Sequence, residues 1–431
     1  MDFEFTEEQE RFQQEVRSFL ATELPADWVD YIGTPIDDTV VHREDGQQVF
    51  KDMAHKLGKE GWLSLFWPKE YGGQSCSYVD YLIFLEEMAS RGSPGYNAVG
   101  VKMLAPTLFK YGTEEQKERH LKLIAKGEEF WCEGFTEPNA GSDLASLQTK
   151  AVKGNNDYII NGQKTWSTFA NYSDWCCLLA RTDPYLKRHR GISFFLVDLS
   201  TPGVIVRSIK NIQGEPDFSE IFFEDARVPK ENLVGGENEG WKVVQTMLSY
   251  KRIAIAPVAV VQSLIDRLVK YIKAKPERRW ENSRQTLAQL KVEAEIGRLI
   301  CYRLAWLHDK GIATAHDAAM SRLYSTELLK RAASVAIELS GLYGQLDKRD
   351  SKAPLHGWFE HLYLSSIGAT IAAGTSEILK NIIATSELKL PPAPLVRGAL
   401  TESRQGAARL FDYVLRLTIA QTLELCTDRA T

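Results

Sequence analysis

Apolar positions recur with a helical period up to about residue 128, shift to short runs of period two up to about residue 235, and then return to a helical period. Thr6 is placed to cap a first helix, with Gln9 three residues on to complete a capping box, and Phe12, Val16, Phe19 and Leu20 form one apolar stripe ending near Leu24-Pro25. A second helix is predicted over 45–60, stopped by Gly61, and others over 78–91, 97–111 and 114–126, the last capped by Thr113 with Gln116 at its third position. Trp67-Pro-Lys-Glu-Tyr-Gly-Gly73 reads as a rigid turn.

Residues 129–136, 147–153, 157–162, 174–181, 191–198, 203–207 and 219–224 read as short strands punctuated by Gly, Asn and Pro, a pattern that predicts a barrel or sandwich. From Gly240, amphipathic stretches over 240–274, 284–311, 313–342 and 357–368, with another beginning near Thr375, predict an antiparallel helical bundle. Pro391-Pro-Ala-Pro394 breaks the chain. A last helix is expected from 400 to about 427, with Leu410, Phe411, Val414, Leu415 and Leu417 on a broad apolar side. Its sparse basic residues favour packing on this subunit or a partner subunit over contact with a membrane.

With 431 residues the chain can bury two or three cores, and 44% hydrophobic with 25% charged residues is the make-up of a soluble globular protein. A net charge of −5 gives no electrostatic case for nucleic acid or an acidic membrane surface. The cysteines at 76, 132, 176, 177, 301 and 426 show neither a CxxC nor a metal-ligand spacing, so buried thiols in a reducing cytoplasm are expected. The acidic start Met1-Asp-Phe-Glu carries no visible leader, and no apolar run approaches the roughly 20 residues needed to span a bilayer.

The chemistry concentrates in Trp131-Cys-Glu-Gly-Phe-Thr-Glu-Pro-Asn-Ala-Gly-Ser-Asp143, a strand ending in a tight turn whose bare N–H groups and hydroxyls can hold anionic or hydrogen-bonding ligand atoms. Tyr158-Ile-Ile-Asn-Gly-Gln-Lys-Thr-Trp-Ser-Thr168 and Trp175-Cys-Cys-Leu-Leu-Ala-Arg181 follow. This ordered series resembles the signature of the acyl-CoA dehydrogenase family of flavoenzymes, and the resemblance extends over roughly residues 1 to 390. It implies a mainly α protein with a central β-barrel: an N-terminal helical domain over 1–128, a flavin-facing β-barrel over 129–235 and a four-helix-type bundle over 236–390. The Pro-rich break and extra helix over 391–431 lie beyond it.

By the same resemblance the cofactor is FAD, which takes the β-hydrogen of an acyl-CoA thioester as hydride while a carboxylate removes the α-proton. Phe135, Thr136, Gly141 and Ser142 would lie along the flavin, Trp166, Ser167 and Thr168 would contact its ring, and Thr375 and Glu377 would sit at cofactor positions in the turn Gly374-Thr-Ser-Glu-Ile378. Ser142 and Arg252 match positions beside the acyl-CoA chain. Two further cofactor contacts depart from the family pattern. Arg278-Arg-Trp-Glu-Asn-Ser-Arg-Gln-Thr-Leu287 lacks the usual Phe-Gly, leaving Arg279 or Arg284 as substitutes, and Glu338-Leu-Ser-Gly-Leu342 replaces a Gln-x-x-Gly-Gly.

The base is missing at both positions the family uses: Ala373 precedes Gly374-Thr375, and Lys251 stands in Leu248-Ser-Tyr-Lys-Arg252, sharing a helical face with Val244, Leu248 and Ile255. No catalytic residue is therefore assigned. The expectation is one subunit of an α2β2-like heteromer whose homologous partner brings the glutamate, as in bacterial relatives acting on steroid side chains, with an electron-transfer flavoprotein as acceptor by resemblance. The alternatives are a self-sufficient enzyme with an acid relocated to Glu133, Asp347 or Asp350, a non-catalytic structural subunit, and a flavin monooxygenase on the same scaffold.

Overall fold

The computed structural model describes residues 4–25, 28, 45–251, 254–275 and 283–391. The expected helix over 400–427, together with Arg252, Arg279 and Cys426, lies outside the described residues.

Local signals set the N-terminal helices. Helix α1 (Glu7–Glu23) starts at the Thr6–Gln9 capping box, with Val16 and Leu20 buried. Helix α2 (Gly46–Lys59) ends before Gly61, whose φ of 73° suits a residue without a β-carbon. Helix α3 (Tyr78–Arg91) opens on a Ser77–Asp80 capping box, and α5 (Glu114–Ala125) on the Thr113–Gln116 box. The stretch 97–111, expected as one helix, divides into a wide π-type segment, Val99–Leu104, and α4 (Ala105–Tyr111). A bulge of that kind re-registers the side chains on either side of it.

Eight strands are formed among the described residues: β1 (Trp131–Gly134), β2 (Lys150–Lys153), β3 (Asp157–Thr168), β4 (Trp175–Arg181), β5 (Ile192–Asp198), β6 (Val204–Ile209), β7 (Phe218–Pro229) and β8 (Leu233–Val234). Their order is β6-β7-β3-β2-β4-β5-β8, with β1 pairing in parallel to β4. The sheet is open, which corrects the expected closed barrel: β6 and β8 are the two ends of the path, and β8 has only two residues with which to pair. Register shifts in the β3–β7 pair at Ile160/Gly162 and at Lys164/Ser167 bend the long strands, so one face curls around its own core of Tyr158, Ile160, Leu178, Phe195, Val197 and Phe223. The opposite face, with Trp131, Leu179, Phe194 and Leu196, packs into the helices. Strand β4 is buried on both faces, which explains its unbroken apolar run Trp175-Cys-Cys-Leu-Leu-Ala180.

The second helical part comprises α6 (Gly240–Lys251), α7 (Ala256–Lys273), α8 (Ser283–Asp309), α9 (Ala315–Ser340), α10 (Trp358–Ala369) and α11 (Ser376–Ile382). The expected single helix over 240–274 is two helices, and Ile255 caps the second; it therefore does not continue the face of α6 on which Lys251 was placed. The two helical parts share one apolar cluster, in which Val16, Phe84 and Leu104 meet Val258, Cys301 and Leu304. A bidentate pair crosses the junction: Arg298 Nε and Nη2 donate to Glu86 at 2.6 and 3.1 Å, and the Tyr302 hydroxyl donates to the same carboxylate at 2.7 Å.

Candidate active site

The segment after β1 is held by its backbone and by one buried ion pair. Glu137 and Ala140 exchange backbone hydrogen bonds of 3.1 and 3.0 Å, closing a turn around Pro138 and Asn139. The Glu137 carboxylate faces inward and accepts from the N–H groups of Gln148 at 2.6 Å and Thr149 at 2.8 Å. Lys164 of β3, with a fully buried side chain, donates to Glu137 Oε1 at 2.8 Å and to the Phe135 carbonyl at 3.1 Å. Burial pulls the Lys164 ammonium down to about 8 against the opposing pull of Glu137. Burial pushes the Glu137 carboxyl up, but Lys164 together with the hydrogen bonds from Thr149 and Gln148 outweighs it and the net shift is downward. This pair is the part of the site that the sequence reading missed, although both residues stand in the motifs singled out there, Glu137 in the 131–143 stretch and Lys164 in the 158–168 stretch.

The Thr165 N–H donates to the Thr136 carbonyl at 2.9 Å, which sets the end of β3 beside the 135–142 segment. The next residue, Trp166, has a φ of 59°, a strained value for a side chain of that size, and its indole is 55% exposed with its edge against Phe218 at 5.7 Å. Ser167 turns inward: its Oγ is buried without a hydrogen-bond partner, so only its backbone is available to a bound ring. Thr168 is half-buried, Phe135 is buried, and Gly141 and Ser142 are exposed. The structure thus brings together Phe135, Thr136, Trp166, Ser167 and Thr168, with Gly141 and Ser142 on the open turn beyond. Arg181 anchors that turn from below, donating to the carbonyls of Leu147 at 3.0 Å and Ala145 at 2.9 Å.

Ala373, Thr375 and Glu377 belong to a second assembly, built on α9. Arg322, buried in α9, donates to the Ala372 carbonyl at 3.1 Å, and Ser376 donates to Glu327 of the same helix at 2.5 Å. Between these anchors Ala373 has a φ of 58° and Gly374 one of 104°. Thr375 caps α11, its hydroxyl accepting from the Ile378 N–H at 3.3 Å. Glu377 is exposed, and its own backbone N–H and the Thr375 hydroxyl hold its carboxyl below the usual range. It therefore competes for donors that an anionic ligand at this helix start would need.

The three candidate substitute acids differ. Asp347 is held down at about 2 by Arg349, whose Nε lies 2.8 Å from Oδ2, so it is an ion-pair partner rather than a proton acceptor. Asp350 is exposed and accepts from the Lys352 N–H at 2.8 Å within its own turn. Glu133 lies on β1 opposite Cys177 and is half-buried. Arg284 is exposed on α8, Lys251 is the last residue of α6, and Leu342 is 84% exposed just after α9. No described group of His, Cys, Asp and Glu is arranged to hold a metal ion, and no described helix is long and apolar enough to cross a membrane.

An exposed indole on a strained bulge, a hydroxyl two residues on and an adjoining turn of open backbone fit a planar heteroaromatic ring with hydrogen-bonding edges. That surface lies on a curled sheet between two helical parts, the layout of a family of flavin-dependent oxidoreductases. Family descriptions match in chain order: acyl-CoA dehydrogenase N-terminal domain over 6–128, middle domain over 132–226 and C-terminal domain over 238–388. The chain belongs to the acyl-CoA dehydrogenase family, whose members are FAD-binding enzymes that oxidise a CH–CH bond. It is 34% identical over 407 residues to the acyl-CoA dehydrogenase FadE26 of Mycobacterium tuberculosis, covering 91% of this chain and 100% of that protein. Among solved structures it is similar to the Tcur3481-Tcur3483 steroid ACAD, with a TM-score of 0.83, 31% identity and coverage of 91% of this chain and 100% of that one. It is likewise similar to the ChsE4-ChsE5 complex from Mycobacterium tuberculosis, with a TM-score of 0.79, 32% identity and the same coverage.

Proposed function

We propose that this chain is the base-lacking subunit of a heteromeric acyl-CoA dehydrogenase, holding FAD and part of the thioester site while a homologous partner supplies the carboxylate. The observation that carries this reading is Ala373, a methyl group in the left-handed turn before Gly374-Thr375 where the family's proton acceptor is expected. Asp347 and Asp350 are engaged locally and do not favour a relocated acid. Two similar structures, a two-protein steroid enzyme and a two-protein complex, support the heteromer, and the first also supports a bulky polycyclic acyl group as substrate.

When bound, FAD supplies the acceptor for the hydride that leaves the β-carbon. The protein's part is to bind and orient. Trp166 would offer a flat apolar face to the ring, the Thr168 hydroxyl and the backbone of Ser167 and of the exposed Gly141–Ser142 turn would offer hydrogen bonds to its edges, and Ser142 would take the thioester chain. Thr375 and Glu377 stand at a more distant part of the cofactor, Glu377 toward a sugar or base hydroxyl rather than toward phosphate, since carboxylate and phosphate repel. Arg252 is assigned to the acyl side by its match to the family's substrate-side arginine alone. Proton removal at the α-carbon falls to the partner, and electrons pass on to an electron-transfer flavoprotein.

The test is anaerobic reduction of bound flavin by acyl-CoA, with the purified chain alone and with its co-expressed homologue. Flavin in the lone chain should stay oxidised, and the pair should bleach it. Fast bleaching by the chain alone would defeat the reading.

A further inference from the structure

We propose that Glu137 and Lys164 are a positioning pair that sets the spacing of the two flavin-facing segments, 135–142 and 166–168, so that FAD affinity depends on them beyond their effect on stability. This rests on the reading of those segments as flavin-facing. Two consecutive residues of β3 cross-connect the segments: Lys164 bonds the Phe135 carbonyl and the Glu137 carboxylate, and the Thr165 N–H bonds the Thr136 carbonyl. The next residue is Trp166, on the bulge. The exposed indole and the open turn are thus placed relative to each other through Lys164 and Thr165, the two residues before the indole. Glu137 extends the arrangement by gripping the N–H groups of Gln148 and Thr149, which fixes the far end of the loop carrying Gly141 and Ser142.

A purely stabilising role suits this pair poorly. Taking an ammonium and a carboxylate out of water is costly, and well-packed apolar side chains of similar volume are commonly as stable or more so. An ion pair with three further hydrogen bonds supplies directed contacts at fixed length, which methyl groups cannot. The other charges around Lys164 do not duplicate it: Arg181 on β4 is engaged by loop carbonyls, and Cys176 is a buried thiol.

The experiment measures FAD dissociation constants, by flavin fluorescence on the deflavinated full chain, alongside melting temperature. The variants are Glu137→Gln, Lys164→Met and the apolar pair Glu137→Leu with Lys164→Met. Arg298→Gln, which breaks the Glu86 pair far from these segments, is the control for stability alone. Both single variants should weaken FAD binding at least tenfold. The apolar pair should recover melting temperature but not affinity, and Arg298→Gln should lower melting temperature with affinity unchanged. An apolar pair that regains both properties, or an Arg298→Gln variant that loses FAD to the same degree for the same loss of stability, overturns the proposal. Wild-type chain that binds no FAD overturns the flavin-facing reading itself and the proposal with it.

Discussion

Ala373→Glu puts the reading of the base-lacking turn to a direct test. The backbone at 373 has a φ of 58°, and in the left-handed region a β-carbon costs about 1–2 kcal/mol relative to glycine. Alanine already bears that strain, so glutamate adds none of it. Residue 373 is half-buried, leaving the longer side chain room to reach out. Arg322 donates to the neighbouring Ala372 carbonyl at 3.1 Å, and its guanidinium favours an ionised carboxylate nearby. The variant should therefore melt within about 1 kcal/mol of the parent, the usual scale for a substitution that neither opens a cavity nor strands a charge. A positioned general base contributes about 10²–10⁴-fold, and that is the gain expected in deuterium uptake at the thioester α-carbon in heavy water, followed by mass spectrometry, with bleaching of bound flavin as a second reading. A folded, FAD-loaded Ala373→Glu protein with no gain in either would refute the reasoning, because the turn would then not face the α-carbon.

Trp166→Gly should separate stability from binding: removing a side chain from a φ of 59° relieves about 1–2 kcal/mol of backbone strain, so the FAD-free protein should melt no lower than the parent while FAD affinity falls clearly, by calorimetry and fluorescence titration respectively. Glu137 is ionised in the fold below its ordinary value of 4.5, so its contribution is present above that pH and is lost as the pH falls through the folded value. The melting-temperature gap between wild type and Glu137→Gln should therefore be widest above pH 4.5 and close on acidification, and a gap that grows in acid would contradict the assignment. Arg298→Gln removes both guanidinium bonds to the buried Glu86 carboxylate, leaving it the Tyr302 hydroxyl, and should cost about 3 kcal/mol in denaturant unfolding, the low end for breaking a buried pair. Asp347→Asn and Asp350→Asn should leave turnover of the reconstituted enzyme unchanged; loss of turnover in either would restore the relocated acid.

Much of this fold was legible because it is written locally. The Thr6–Gln9 and Thr113–Gln116 boxes announced helix starts, and Gly61 announced a helix end, from residues three or four positions apart. What stayed hidden depends on contacts between distant residues. Strand β3 was expected over 157–162; Gly162 instead packs against Thr149, where a β-carbon would lie 2.5 Å from Oγ1, and the strand runs on to Thr168. The open sheet follows from the shortness of β8, which composition did not reveal. At the site, the motif residues were readable as one group, but the inward Ser167, the left-handed Trp166 and the Glu137–Lys164 pair were not. Each depends on register shifts between β3 and β7 or on a contact 27 positions apart in the chain.

The apolar cluster shared by the two helical parts has a consequence for how the protein is made. Glu86 waits for Arg298 and Tyr302, the latter 216 residues further along, before these three bonds to its carboxylate are complete. At roughly 5–20 residues per second a ribosome needs about 10–40 s to deliver that stretch. Through that interval the earliest helices hold an apolar flank without a mate, so the nascent chain is a natural client for chaperones, and its amino-terminal third made alone should aggregate.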